Sequence, residues 1–458
     1  KASLLMVPST YEAGKLYNVL PSGNRAPDNK GGAGYDQTRA DFDFDRGSNA
    51  AATRINSSGL IEKYRENLLL QSNQFDTTWG NANTTETSGQ SGYDGSNDAW
   101  SLDISGGTDS QHIGQSVSSS GVQTFSVYAK ANTKNWLLLF AVGSGNPLSY
   151  FDLQNGVLGT QSNATGTIES VGNGWYRCSM FFNVSVSSLR IYIATDDNNI
   201  TQSSGNIYIQ NAQIETGLVA TDYLNSTSVT AKAGVLIDLP RINYDANGEN
   251  GALLLEGQRA NLISQSEFYG GSDWARTRCG FVTNTSETLS PEGLYNASKM
   301  TSTDASESYA QDNVTLGSTS GTFTFFAKKG DLDYCHALVW DISANGRRQW
   351  FNLATGAVGT TTNFGSGYTK VDATIEDYGN GWYRCSFSWS GGNTTSAVRI
   401  NISSGDGVIG SPINSYGYFY GAQLEANASY ATSYIPNHSG TGGVTRAADV
   451  CTGNVSEE

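Results

Sequence analysis

The sequence predicts an all-β protein of two tandem jelly-roll, β-sandwich domains behind an N-terminal β-hairpin or anchor segment. Three observations lead there. The 458 residues include 53 Gly, 24 Tyr, 17 Phe and 9 Trp but only 3 Met, with little helical apolar periodicity, a composition suited to half-buried pleated surfaces and many turns. Short alternating segments are separated by turn chemistry at roughly ten- to twenty-residue spacing, the rhythm of a sandwich or jelly roll. Most tellingly, the chain repeats itself. Gly-Asn-Gly-Trp-Tyr-Arg-Cys-Ser stands at 172–179 and again at 379–386, and other phrases recur around it in the same order. The spacing between the copies widens along the chain, as it does when two copies of one fold differ in their loops. So long a period is a duplicated domain, since solenoid repeats run about 20–50 residues.

The elements follow in order. Residues 1–66 form an N-terminal anchor and lead-in: Asp41 to Arg46 alternates as a strand with Phe42 and Phe44 inward, and 52–56 and 59–62 pair as a hairpin across a Ser-Ser-Gly turn. The stretch 21–37, rich in Gly, Pro, Asn and Asp, reads as a long exposed loop. Module 1 occupies 67–230, with strands at 123–129, 136–141, 149–153, 175–182, 189–194 and 207–215. A connector at 231–260 echoes the lead-in, because Arg241-Ile242-Asn243 precedes Asn247-Gly248 and then Leu253-Leu254-Leu255. Module 2 occupies 261–449, with matching strands at 322–327, 336–341, 349–353, 382–389, 397–402 and 417–425. The tail, 450–458, follows Thr445-Arg446-Ala447-Ala448-Asp449, which reads as the opening of a further lead-in.

Charge narrows the classes of partner. With 27 basic and 42 acidic residues the net charge is −15, a field that repels phosphate backbones and anionic membranes and argues against nucleic-acid binding. No apolar stretch approaches the ~18–20 residues of a membrane span, and no secretory signal opens the chain. Numbering begins at Lys1, either after processing or within a longer product. Five Cys, with Cys178 and Cys385 at one place in separate copies, predict reduced thiols rather than a disulfide framework.

Two places carry candidate binding chemistry. Trp175 and Trp382, each sharing a sheet face with Arg177 or Arg384, could stack on a sugar ring while the guanidinium orients it; equally, the indole caps the core and the arginine snorkels over it. On the last long strand Tyr416, Tyr418 and Tyr420 share one face, where copy one has Asn206, Tyr208 and Gln210. Such a row is either a platform for a glycan or a subunit, or inter-sheet packing. The recurring pairs Gln213/Glu215 and Gln423/Glu425 are placed either to ligate a cation or to hold the lead-in hairpin. Asp41, Asp43 and Asp45, and the turn Asp196-Asp197-Asn198-Asn199, are oxygen-rich but lack EF-hand or nonapeptide spacing. They read as solvated faces; no cofactor is expected, and structural calcium is the one ion left open. Catalysis finds no support: His112, His336 and His438 do not occupy matching positions, and there is no zinc spacing, nucleophile elbow or phosphate loop.

Asp-Phe-x-Phe-x-Arg-Gly-Ser, Ala-Thr-Arg-Ile-Asn, Gly-Leu-Ile-Glu and Asn-Leu-Leu-Leu-Gln-Ser resemble lead-ins of bacteriophage virion fibre proteins. So do Gly-Asn-Gly-Trp-Tyr-Arg, Gly-Ala-Gln-Leu-Glu, Thr-Ser-Tyr-Ile-Pro and Thr-Arg-Ala-Ala-Asp, and the opening Ser3 to Tyr17 looks like the start of such proteins. The modules are similar to carbohydrate-binding jelly rolls. The resemblance covers nearly the whole chain from about residue 41 and implies a non-enzymatic virion protein of head or tail, made in the host bacterial cytoplasm. It further implies attachment to other virion proteins through the N-terminal segment, a homo-oligomer (a trimer, as fibres commonly are), and contact with host or environmental polysaccharide. Trp382, Arg384, Tyr418 and Tyr420 are then the expected glycan contacts, with Trp175, Arg177 and Tyr208 below them. A purely architectural decoration or spacer is the alternative, and a polysaccharide depolymerase a third reading.

Overall fold

The computed structural model describes residues 15–16, 42–48, 51–106, 110–201, 204–440 and 442–452. Asp41, the side chain of Asp43, the loop 21–37 and most of the opening segment lie outside them. Among the described residues every regular element is a strand. The chain divides into two compact units: Arg65–Ala233 with His438–Thr441, and Lys1–Tyr64 with Gly234–Asn437 and Gly442–Glu458. The lead-in and most of the connector therefore belong to the same unit as module 2.

Module 1 is a sandwich of two six-stranded antiparallel sheets. One runs, edge to edge, Thr165–Gly172, Trp175–Asn183, Val122–Ala131, Asn206–Thr216, Ala99–Ile104, Thr84–Gln90. The other runs Val157–Ser162, Leu148–Asp152, Trp136–Gly143, Val186–Ala194, His112–Ser119, Gly80–Ala82. The central four strands of each sheet follow the jelly-roll order, with one extra strand on every edge. Inward residues of both sheets, Phe125, Val127, Leu137, Leu139, Met180 and Ile191 among them, form one fully buried core.

Module 2 repeats the order strand for strand. Its sheets are Cys279–Val282, Ser298–Ser302, Tyr416–Ala426, Gly321–Lys329, Trp382–Gly391, Tyr368–Asp377 and Ala275–Thr277, Tyr309–Thr315, Thr395–Ser403, Tyr334–Trp340, Gly346–Asn352, Ala357–Phe364. The predicted strands fall on these, with 149–153, 336–341 and 349–353 each running one residue past the observed end. Their edge strands escape sequence reading because most of their residues face solvent and show no apolar alternation.

Local chemistry explains the repeated phrases. The Gly-Asn-Gly turn is a two-residue hairpin whose Asn and Gly both take positive φ (Asn173 52°, Gly174 77°; Asn380 52°, Gly381 78°), the combination that matches strand twist. A β-bulge interrupts the last strand at the same point in each copy, between the partners of Ser126 and Tyr128 and of Thr324 and Phe326. Left-handed backbone is met there by Asn211 (φ 55°) in one copy and Gly421 (φ 52°) in the other.

The lead-in elements fold as expected: Thr53–Ile55 pairs Ile61–Lys63, and Arg241–Asn243 pairs Ala252–Leu254. Strand Phe42–Asp45, with Phe44 buried, pairs Val450–Thr452 rather than standing alone. The Thr-Arg-Ala-Ala-Asp phrase pairs back onto the connector of this unit. Val444–Arg446 pairs Arg259–Asn261, and its arginine enters a buried ionic knot. There Arg46 meets Asp449 at 3.0 Å, Arg241 meets Glu256 at 3.0 Å and also Asp449, and Arg446 meets Glu256 at 2.8 Å. The side chains of Arg46, Arg241, Arg446 and Asp449 are all shut off from solvent.

Removing one member leaves a partner charged and buried without compensation. Arg241→Ala is therefore expected to cost about 3–5 kcal/mol in urea unfolding, whereas Arg54→Ala, in the half-exposed pair with Glu62, costs under about 1 kcal/mol. Equal losses would show that the knot is not a buried ionic network.

Candidate functional site

Most residues expected to touch sugar are covered. In module 2, Trp382 and Tyr420 are 1% and 0% exposed, Arg384 5% and Tyr418 8%; in module 1, Trp175 is 1% exposed. Arg177 and Tyr208 are half-buried. A ring without an open face cannot stack on a sugar, so these five positions are corrected from glycan contacts to packing residues. The cover comes from the chain itself. Residues 284–297 fold over the module 2 row, where Trp382 donates to the Leu289 carbonyl at 2.8 Å and Tyr418 donates to Glu287 at 2.7 Å. Ile61 of the lead-in hairpin packs with Trp382, Tyr418, Tyr420, Phe326 and Tyr434. In module 1 the loop bearing Tyr93 does this, its ring stacked on Tyr128 at 3.8 Å.

The copies disagree at Gln210 and Tyr420 because their covering loops differ. Gln210 donates to Asp98 at 2.6 Å and accepts from the Tyr93 amide at 3.1 Å. Tyr420 instead joins a buried charged group: it donates to Glu292 at 2.7 Å and Glu267 at 3.0 Å, and Lys63 lies 2.9 Å from Glu292 and 3.0 Å from Glu267. Asn206 donates to Asp103 at 2.8 Å.

The recurring motifs meet at one place in each module, the segment after the last strand. Glu215 accepts from the Thr221 amide at 2.8 Å, as Glu425 does from Thr432 at 3.0 Å. Gln213 accepts from Leu224 at 2.7 Å, and Gln423 from Ile435 at 2.6 Å. Arg177 and Arg384 donate to the Thr221 and Thr432 carbonyls. Asn67 donates to Ala212 and Leu224, and Asn261 to Ala422 and Ile435, at 2.8–3.1 Å. Tyr223 and Tyr434 share hydrogen bonds with Ser72 and Ser266 at 2.6 and 2.8 Å. The Gln/Glu pairs are thus spent on the Thr-x-Tyr segment, not on the lead-in hairpin. The Asp196–Asn199 turn is also engaged: Asp197 accepts from the amide and hydroxyl of Thr160 at 2.6 and 2.9 Å, and Asp406 does the same for Thr360.

The outward face of the opposite sheet is covered only in part, with His336 and Leu338 on it buried and its aromatic rim half-buried. Cys335, Ala337 and Val339 enter the module 2 core, so alternation turns His336, Leu338 and Trp340 outward. Arg399 is held between Tyr309 and Trp340, its guanidinium carbon 3.8 and 4.6 Å from the ring centres. Its Nε donates to Gln311 at 2.6 Å, and its Nη1 reaches Glu307 at 3.4 Å. Arg348, over Phe364 at 5.0 Å, reaches the other Glu307 oxygen at 3.3 Å. Burial opposes ionisation of Glu307, but His336, Arg348 and Arg399 outweigh it and hold its pKa below the ordinary value. Burial lowers the His336 pKa below its ordinary value, against the raising effect of Glu307. Tyr309, Trp340, Arg348, Arg399 and Phe364 are all half-buried. Module 1 carries an aromatic face at the same place: Trp136 and Phe140 half-buried beside Tyr192, whose hydroxyl accepts from Arg190 at 3.0 Å. Sequence reading missed this surface because both faces of these strands are apolar, and alternation alone does not say which is the core.

The buried Lys63 group sets an alkaline limit. Burial disfavours its ammonium, yet Glu267 and Glu292 outweigh that and raise its pKa, while burial, then nearby carboxylates, raise the hydroxyls of Tyr420 and Tyr434 well above theirs. All three bind protons more tightly folded than unfolded, so their contribution is complete below pH about 10 and is lost above it. Thermal unfolding midpoints are expected to fall steeply from that pH; Lys63→Met with Glu267→Gln flattens the fall. No family model matches the chain, and no curated protein matches it. Among solved structures, two of the oxalate decarboxylase of Bacillus subtilis, one a variant and one from work on its Mn(II) centres, align at 10% and 9% identity. They cover 81% and 77% of this chain and 80% and 79% of their own, with a TM-score of 0.10 each, an overlap that carries no argument about fold or chemistry.

Proposed function

We propose that this chain is a non-enzymatic structural protein of a bacteriophage virion, a head or tail fibre or surface appendage, whose sandwich modules bind host or environmental polysaccharide. The virion reading rests on the lead-in and closing phrases that resemble phage fibre proteins. The binding reading is carried by one observation: the half-buried aromatic and arginine face of Tyr309, Trp340, Arg348 and Arg399, repeated in simpler form around Trp136 and Tyr192. Aromatic edges offer an apolar surface to a sugar ring, while the guanidinium groups, Glu307 and Gln311 supply fixed hydrogen-bonding groups. Single sites of this kind bind weakly, and many copies on one particle supply avidity. A second reading, an architectural spacer, is favoured by the burial of Trp175, Trp382 and Tyr420, which spends the other sheet's aromatic row on packing.

Retention on a panel of immobilised bacterial polysaccharides separates the two. Trp340→Ala and Arg399→Ala are expected to weaken retention about tenfold each with far-ultraviolet circular dichroism unchanged, a loss of about 1.4 kcal/mol. Trp382→Ala instead destabilises by about 3–5 kcal/mol. A glycan retained equally by the wild type and by both face variants defeats the assignment, and no retention of any glycan favours the spacer.

A further inference from the structure

Two hairpins written on one pattern wall a cleft against module 2. Arg54, Ile55 and Glu62 of the lead-in stand where Arg241, Ile242 and Glu256 stand in the connector, and both hairpins belong to the unit of module 2. The cleft has a volume of about 170 Å³; both hairpins line it, with Tyr378, Arg384 and residues 431–434 of the closing segment. Hydrogen bonds fix each wall. The Ile55 amide donates to Asn243 at 2.8 Å, the Thr53 hydroxyl to the Tyr434 carbonyl at 2.6 Å, and the Ser433 amide to Glu256 at 2.8 Å. A cleft held in this way is preformed, which spares a ligand the cost of ordering it.

The matching ionic pairs of the two hairpins are used differently. Glu256 is neutralised inside the buried knot by Arg241 at 3.0 Å and Arg446 at 2.8 Å. Arg54 meets Glu62 through Nε, at 2.6 Å, and its side chain is 27% exposed. That pair leaves the two terminal nitrogens of Arg54 for a ligand. Deeper in the lining, Arg384 donates Nη2 to the Thr432 carbonyl at 2.7 Å and packs over Phe326, while its Nε is buried with no acceptor. Across the lining and the knot joined to it through Glu256, Arg46, Arg54, Arg241, Arg384 and Arg446 stand against the carboxylates of Glu62, Glu256 and Asp449. In a chain of net charge −15 this is a local excess of positive charge, and it favours an anion.

We propose that this cleft binds one hexuronate, a sugar ring bearing a carboxylate, with Arg54 pairing the carboxylate. The volume falls below the roughly 300–1,000 Å³ of drug-sized pockets and suits a single ring. The two terminal nitrogens of a guanidinium match the two oxygens of a carboxylate, and Arg384 adds charge from below. Ile55, Ile61 and Leu254 offer an apolar surface to the ring, and Asn243 and Tyr378 offer polar groups to its hydroxyls. The site shares no residue with the outward face around Trp340 and stands whether or not that face binds a glycan.

The test titrates the full chain with D-glucuronate, D-glucose and an oligosaccharide ending in glucuronate, read by saturation-transfer NMR and calorimetry at low salt. D-Glucuronate is expected to bind once per chain with a Kd of about 1 mM, and more weakly as salt is raised. Glucose is expected to bind at least about tenfold more weakly. Arg54→Ala, which costs the fold little, is expected to weaken glucuronate binding about tenfold, and Arg54→Lys to recover part of that loss. Tighter binding of the oligosaccharide assigns the ligand to a chain end, and equal binding to a free sugar acid. No glucuronate binding at tens of millimolar, equal binding of glucose, or binding unchanged in Arg54→Ala overturns the proposal. Loss with Trp340→Ala but not with Arg54→Ala puts the acid on the outward face; that result overturns the cleft and upholds the glycan reading.

Discussion

Each module depends on one buried constraint: the hydrogen-bonded clamp that returns the chain after the last strand to the first residues of the module. A jelly roll leaves the polar backbone at its open end without sheet partners, and an unpaired buried amide or carbonyl is costly. Here Asn67 and Asn261, Gln213 and Gln423, Glu215 and Glu425, and Arg177 and Arg384 satisfy those groups with the same geometry in both copies. Glu215 is almost wholly buried, and burial, despite the Thr221 hydrogen bonds, raises its carboxyl above the ordinary value. Its worth lies in fixing a chain path rather than in presenting a charge.

The clamp changes how the repeated phrases are to be read. Gly-Asn-Gly-Trp-Tyr-Arg, Ala-Gln-x-Glu, Thr-x-Tyr and Asn-Leu-x-x-Gln-Ser lie far apart in sequence yet contribute to one knot per module. Residues that must meet one another tolerate little variation whatever the module binds. The two modules differ instead where covering loops impose different demands, as at Gln210 against Tyr420. There the substitution alters hydrogen-bond capacity inside the protein.

Much of this was legible in the sequence. The duplication located six strands in each module, and the Asn-Gly turn, the lead-in hairpins and the inward Phe44 follow from local rules. The edge strands were not legible, because 157–172 and its counterpart present few inward apolar residues. Nor was the burial of Trp382 and Tyr420, which depends on residues 284–297 and on Ile61, segments that alternation cannot place over them. The outward face bearing Trp340 and Arg399 was hidden for the opposite reason. Strand Tyr334–Trp340 is apolar on both sides, so its register became clear only once Cys335, Ala337 and Val339 were seen in the core.

The ionic knot of Arg46, Arg241, Glu256, Arg446 and Asp449 has a consequence for biosynthesis. Arg46 and Asp449 are 403 residues apart in the chain, and the whole of Arg65–Ala233 is translated between the knot's first and second arginines. Arg46 must wait on the ribosome, its charge still hydrated, while an entire sandwich is made and can fold ahead of it. Loop-closure entropy on that scale is repaid only when Asp449 emerges, so the Arg46–Asp449 pair cannot form before then. A chain truncated before residue 449 contains every strand of both sandwiches but lacks the carboxylate that Arg46 meets in the buried knot.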